Sequence, residues 1–459
     1  MIHRYQKKGL NFVLDVNSGA VHLLDDISYA VSGLLDENMG DTCPQSIIDA
    51  LPDYTADEIR EAYDELYELK KAGQLFAQDD YIDVSRYIPV NAPVKALCLH
   101  VAHDCNLRCK YCFASTGDFG QGRKIMPPEI AKKAIDFVIA RSGVRHNIEV
   151  DFFGGEPLMA WDTVTQTVDY ARSLEEKYNK KFRFTITTNG LLLDEDKRRY
   201  INENMDNCVL SLDGRREVND EFRKTVAGTG SYDTIVPKFK ALVDERDPNL
   251  DYYARGTFTS HNLDFAEDVL SIADAGFDRL SVEPVTADPG CGYDLTEDDL
   301  PKIEAEYDRL TDIMLERKKE GKPFTFFHFM VDLDQGPCVV KRLRGCGAGY
   351  EYVAVTPDGD IYPCHQFVGK EEFKQGSVLD QSFDMDIAQK FAGMNIYSRP
   401  KCQKCWAKFY CSGGCSAANY NMNHDMNDSY DLGCEMERKR LECAIYLKAM
   451  DKICANQSK

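Results

Sequence analysis

Residues 103–113 read HDCNLRCKYCF and set Cys105, Cys109 and Cys112 three and then two residues apart. Thiolates favour soft or borderline metals, and a closed structural zinc site asks for four protein ligands. This loop offers three thiols. A cubane [4Fe–4S] cluster has four irons, so a C-x3-C-x2-C loop wraps three of them and leaves the fourth open to a ligand that is not protein. The apolar run ALCLHVA, at 96–102, leads into the loop and reads as a buried strand.

Outward from this point, strand and helix patterns alternate from about residue 95 to 320. Further strands are expected at IEVDFFG, FRFTITTN, CVLSLDG, YARGTFT and LSVEPV, with helices at 128–142, 163–178, 232–246 and 264–275 among the segments between them. Repeated βα units predict an α/β fold with a parallel sheet, either open and doubly wound or curved into a partial barrel. In both, ligands bind at the carboxyl ends of the strands. Cys105, Gly154, Asn189 and Asp213 all fall just past such ends, which predicts one shared site.

The loop resembles that of the radical S-adenosylmethionine (SAM) enzymes, written CxxxCxxC with an aromatic, here Tyr111, before the last cysteine. The resemblance implies a partial (β/α)6 barrel, with SAM bound by its amino and carboxylate groups to the open iron of the Cys105–Cys109–Cys112 cluster. One electron then cleaves SAM to a 5′-deoxyadenosyl radical. FFGGEP resembles the family's GGE motif: Gly154 and Gly155 allow close backbone approach, and Glu156 is expected to accept from the SAM ammonium. TTNG offers Thr188 and Asn189, LSLDG offers Ser211 and Asp213, and Arg223 is expected to pair with the SAM carboxylate; Arg255 is a weaker candidate.

A second cysteine field begins near residue 338. Cys346, Cys364, Cys402, Cys405, Cys411, Cys415 and Cys434 resemble the SPASM extension of peptide-modifying radical SAM enzymes, which holds two auxiliary [4Fe–4S] clusters. The resemblance assigns Cys402, Cys405, Cys411 and Cys434 to auxiliary cluster II and Cys346, Cys364 and Cys415 to auxiliary cluster I. The fourth ligand of cluster I is either Cys338 or a substrate thiolate, the open site being preferred. Zinc knuckles are the alternative; seven thiols do not divide into two four-thiolate sites, and His365 and His424 are the nearby candidates to complete them. Cys98 and Cys208 sit in strand patterns and are expected in the core. Cys43, Cys443 and Cys454 lack partners at ligand spacing, while Cys291 follows the sixth strand near the expected site.

The first eighty residues read as a small module: a hairpin about Asn17-Ser18-Gly19, two short helices, and a helix capped by Thr55 with Glu58 and ended by Gly73. It resembles the winged-helix-like recognition element of peptide maturases, in which a leader peptide adds as a strand. The expected division is 1–80 recognition element, 81–93 linker, 94–325 radical SAM partial barrel and 326–459 SPASM domain. The formal net charge of −21 and the acidic helix ADEIREAYDELYE argue against nucleic acid as a partner. No apolar run is long enough for a bilayer and the N-terminus lacks a signal-peptide pattern, so a cytoplasmic protein without membrane partners is expected, its 17 cysteines reduced.

Over its whole length the chain is similar to maturases of six-cysteine (SCIFF) peptides. That resemblance implies a thioether between a cysteine sulfur and a carbon of a cysteine-rich precursor, three [4Fe–4S] clusters, SAM, and a reductant such as flavodoxin or ferredoxin. An anaerobic sulfatase maturase making formylglycine, another SPASM peptide-modifying enzyme, and a non-enzymatic metal-binding peptide-recognition protein are the alternatives.

Overall fold

The computed structural model describes residues 1–83, 92–333 and 339–457. The N-terminal part is an antiparallel sheet of β1 (Ile2–Lys7), β2 (Leu10–Asp15) and β3 (Val21–Leu24), followed by α1 (Asp26–Ser32), α2 (Gln45–Ala50) and α3 (Ala56–Lys71). The turn expected at 17–19 joins β2 to β3, and β1, unexpected from the sequence, pairs with β2 on its other side. Helix α3 starts in the predicted capping box: Glu58 N donates to Thr55 Oγ1 and Thr55 N to Glu58 Oε2. Its face of Ile59, Ala62, Tyr63 and Leu66 is buried against Val13 and Val31.

One large sheet follows. Strand β4 (Ala96–His103) is paired antiparallel by the short β5 (Lys124–Ile125). Parallel strands β6 (Asn147–Gly154), β7 (Lys181–Thr188), β8 (Asn207–Ser211), β9 (Asp251–Phe258), β10 (Arg279–Pro284) and β11 (Thr325–Phe326) then extend the sheet in sequence order from β4. Helices α4 (Pro128–Arg141), α5 (Trp161–Tyr178), α6 (Glu195–Asn204), α7 (Arg216–Phe222), α8 (Tyr232–Asp244), α9 (Phe265–Asp274) and α10 (Leu300–Lys319) lie between strands. Strands and helices alternate because the sequence alternates: β6 and β7 bury every second residue, as in Ile148, Val150, Phe152 and Phe182, Phe184, Ile186, while α4 buries Ala131, Ala134, Ile135 and Val138 at helical spacing. Each fully buried phenylalanine contributes about 2–3 kcal/mol of apolar burial.

The C-terminal segment is part of the same sheet. Strand β12 (Tyr352–Val355) pairs parallel with β4, opposite β6, and β13 (Asp360–Tyr362), β14 (Gly376–Ser377) and β15 (Ser382–Phe383) continue from it antiparallel. A 27-residue helix, Asp431–Gln457, ends the chain and packs along α10. Its Ile445 and Tyr446 also meet Tyr5, Phe12 and Leu14 of the N-terminal sheet. There the His3 ring stacks on Trp406 at 3.8 Å and 2°, and His3 Nε2 lies 2.9 Å from Glu442 Oε1. Among the described residues no helix is long and apolar enough to cross a membrane.

Candidate functional site

The end of β4 opens into the cysteine loop, which is pinned from several sides. Gly155 N donates to Ala102 O at 2.7 Å and Glu156 N to Asp104 O at 2.9 Å, so the end of β6 lies directly against the start of the loop. A Cβ on Gly154, which has φ +119°, or on Gly155 would collide with the carbonyls of Ala102 and Asp104 respectively, which is why this approach takes two glycines. On the far side Arg108 N donates to Lys224 O and Lys110 N to Phe222 O, tying the loop to the end of α7. Cys105 Sγ accepts from Leu107 N at 3.4 Å, with Asn189 Nδ2 at 3.6 Å. Burial pushes the Cys105 and Cys109 thiols up to about 12; Glu156 adds to this at Cys105, and Arg223 opposes it at Cys109. Thiols in this setting ionise when a cation takes the place of the proton.

A cavity of about 230 Å³ covers this loop. Tyr111, Gly154, Gly155, Glu156, Thr188, Asn189, Ser211 and Arg223 all line it together with the three cysteines. Asp213 does not. It is fully buried behind the wall, where Oδ2 accepts from Tyr111 Oη at 2.5 Å and lies 2.9 Å from Arg223 Nε, and Oδ1 accepts from Thr257 N. In place of a direct ligand contact, Asp213 fixes two residues that do face the cavity. Glu156 lines the cavity, and its carboxylate also accepts from Leu158 N, Thr188 Oγ1 and Asn189 N, joining the ends of β6 and β7. Burial raises its pKa to about 7, against the pull of those three donors.

The opposite wall was largely absent from the sequence-based list. Arg255 and Thr257 of β9, Glu283 and Pro284 of β10, and His365 and Gln366 of the C-terminal segment complete it, with Phe113 and Phe153 between. Parallel register supplies the signal that finds two of them: Thr257 lies beside Glu283, and Arg255 lies between Ser211 and Ser281. Tyr352 Oη and His365 Nδ1 are 3.2 Å apart, and the His365 ring packs on Phe113 and Phe153. His424 ends the helix Ser416–Asn423 in the left-handed region and borders an adjoining groove of about 520 Å³ that shares Phe113 and His365 with the cavity.

The later cysteines gather in two places. Cys402, Cys405, Cys411 and Cys434 line a pocket of about 60 Å³ with Glu437 and Arg438. Burial raises Cys411 to about 12 and Cys434 to about 11, and the neighbouring thiols add to both. Cys346, Cys364 and Cys415 form the other group: burial raises Cys364, and charge on Cys415 and Cys346 raises it further. Cys338 lies outside the described residues. Cys98, Cys208 and Cys443 are buried, Cys43 is half-buried, and Cys291 and Cys454 are exposed.

No three His, Cys, Asp or Glu side chains among the described residues meet at one point as ligands of a single ion would. The thiols ring pockets instead, and sulfur donors spread about a space suit a polynuclear iron–sulfur group. At the first pocket the donor set stops at three thiols and the cavity continues past them, so a cluster there has room for a further ligand.

Residues 99–251 match the radical SAM superfamily, and residues 346–406 match the SPASM iron–sulfur cluster-binding domain. The chain is 24% identical over 354 residues to a cysteine-type anaerobic sulfatase-maturating enzyme of Clostridium novyi, covering 72% of this chain and 90% of that one. In fold it is similar to anSMEcpe with bound AdoMet, with a TM-score of 0.65 and 20% identity over 80% of this chain and all of that one. It is also similar to Streptococcus suis SuiB bound to precursor peptide SuiA, with a TM-score of 0.53 and 16% identity over 93% of this chain and 97% of that one. Two family models thus match successive parts of one α/β fold, and radical SAM and SPASM domains imply SAM and [4Fe–4S] clusters as cofactors.

Proposed function

We propose that this protein is a radical SAM peptide maturase that joins a cysteine sulfur to a carbon within a ribosomally made, cysteine-rich precursor. In this reading Cys105, Cys109 and Cys112 hold the SAM-binding cluster. Cys402, Cys405, Cys411 and Cys434 hold a fully ligated auxiliary cluster, and Cys346, Cys364 and Cys415 hold one that lacks a fourth described ligand. SAM held beside these three cysteines would supply, on one-electron reduction, a radical able to take a hydrogen atom from the peptide.

The chain's own residues bind and orient. Arg223, kept in place by Asp213, and the Glu156–Thr188–Asn189 junction face SAM. Phe113 and Phe153 give the cavity an apolar stretch of wall. The observation that carries the thioether reading is the placement of Cys364: it immediately precedes His365, which lines the cavity, so the three-thiol group adjoins the reaction space. Either Cys338 or a substrate thiolate would complete that group; a thiolate held there would stand near the acceptor, and the one electron left over when it bonds to the carbon radical would pass to the auxiliary cluster. The N-terminal sheet, with β3 at its edge, would take the leader as a further strand, and a flavodoxin or ferredoxin would supply electrons.

Mass spectrometry of a co-expressed precursor tests this: each bridge removes two hydrogens and protects one cysteine from alkylation. Unaltered mass and fully alkylated thiols would sink the proposal. A second reading, a sulfatase-maturase-like enzyme, is favoured by the similarity to the Clostridium novyi protein; it predicts formylglycine in place of cysteine. A non-enzymatic metal-binding peptide-recognition protein would form no 5′-deoxyadenosine.

A further inference from the structure

Arg255 sits in the middle of the sheet, between β8 and β10, yet 45% of its side-chain surface is open, because it faces the cavity. Its Nε donates to Glu283 Oε1 at 2.9 Å and its Nη2 to Glu283 Oε2 at 2.5 Å. Nη1 donates to no described residue. The pair is braced from behind. Arg440 Nη1 lies 3.2 Å from His328 Nδ1, and since arginine only donates, that nitrogen is the acceptor. Burial keeps His328 neutral, so its proton is on Nε2, which points at Ser281 Oγ at 3.3 Å and lies 3.9 Å from Glu283 Oε1. Arg440 in turn is held by Glu437, a residue lining the four-cysteine pocket. A bidentate ion pair braced in this way is preorganised, with one guanidinium edge left for something else.

Arg223, Tyr111 and His365 lie near Arg255 and share the cavity with it. We propose that Nη1 of Arg255 holds an uncharged oxygen, carbonyl or hydroxyl, of the peptide's acceptor residue, and that Glu283 makes the enzyme discriminate against an acidic acceptor. This rests on the peptide-maturase reading above. The chemistry follows from charge: Glu283 already balances Arg255, so a substrate carboxylate would enter without a free counter-charge, whereas a neutral oxygen loses little on leaving water and gains a charge-assisted hydrogen bond.

The test uses the full chain with its clusters, labelled SAM, and the cysteine-rich precursor of the mass-spectrometric test, made with asparagine or aspartate at the acceptor position that test maps. In Arg255→Lys, which keeps the charge and loses the fork, peptide affinity by fluorescence anisotropy should fall about tenfold while SAM affinity by equilibrium dialysis stays within twofold. Glu283→Gln should shift the asparagine-to-aspartate preference at least tenfold toward aspartate. An equal loss of SAM and peptide affinity in Arg255→Lys would make Arg255 a cofactor contact and overturn the proposal, as would unchanged peptide affinity. Should the unaltered protein bind SAM but neither peptide, the maturase reading itself falls. If Glu283→Gln does not fold, the two affinities of Arg255→Lys decide alone.

Discussion

The cysteine loop at the barrel mouth and the four-cysteine pocket near the C-terminus are built on opposite plans. The first is a short loop pinned by glycine contacts beneath a cavity of about 230 Å³, most of whose walls are not cysteine. The second gathers Cys402, Cys405, Cys411 and Cys434 from two helical turns and the start of a long helix about a space of roughly 60 Å³. The contrast teaches that thiol number and spare volume run in opposite directions here: three thiols have room beside them, while four gathered from distant segments have little.

The sharpest way to break this comparison is to remove the first group. Replacing Cys105, Cys109 and Cys112 together with alanine should abolish SAM cleavage and leave about two thirds of the iron, as expected for the loss of one of three four-iron clusters. Persisting 5′-deoxyadenosine would show that the reactive site lies elsewhere. Next comes Cys434→Ala. Because Cys434 links the final helix to the 402–411 turns, its loss should remove about a third of the iron and lower the melting temperature by several degrees, a larger drop than the triple loop variant shows. Equal drops would erase the distinction between an open and a closed site.

A milder change probes how the N-terminal sheet rests on the second region. His3→Ala removes the ring stacked on Trp406, next to Cys405, and the contact to Glu442. It should cost about 1–2 kcal/mol and speed amide exchange in β1. Unchanged exchange would mean that the apolar contacts of Tyr5 and Phe12 suffice. A pH-dependent effect concerns Asp151 on β6, whose carboxyl burial raises from 3.8 to about 7. Since the folded state holds this proton more tightly than the unfolded one, stability is lost as pH rises from about 4 through 7. Asp151→Asn should flatten part of that slope in urea midpoints taken at pH 5.5 and 8. Glu156, raised in the same direction, keeps the remainder.

Much of this was readable from residues alone. Strands β4, β6, β7 and β8 follow apolar patterns that end at or just before Cys105, Gly154, Asn189 and Asp213, and strand ends are where such a sheet places its ligands. The final helix was not readable, for a physical reason: it packs on α10, on the N-terminal sheet and on the barrel at once, so its buried Leu432, Met436, Leu441 and Ile445 form no single stripe and charged pairs such as Arg440–Glu437 lie between them. The inward role of Asp213 was hidden too, because only the folded register reveals that Tyr111 and Arg223 use its carboxylate first. Likewise Arg255 and Glu283 are 28 positions apart, and only the pairing of β9 with β10 makes them partners.

The pairing of β12 with β4 also dictates an order of events. The strand that launches the cysteine loop has β6 on one side and, on the other, a strand whose residues leave the ribosome about 250 positions later. Until then β5 covers only Ala102 and His103 of that edge, and the stretch Ala96–Leu99 is open to wrong partners. The barrel's first strand is therefore among the last to be sealed, and a chain truncated before Val355 leaves the reactive loop on a raw margin. Slow synthesis, or a chaperone guarding that edge, should matter more to the yield of this protein than the strength of its core.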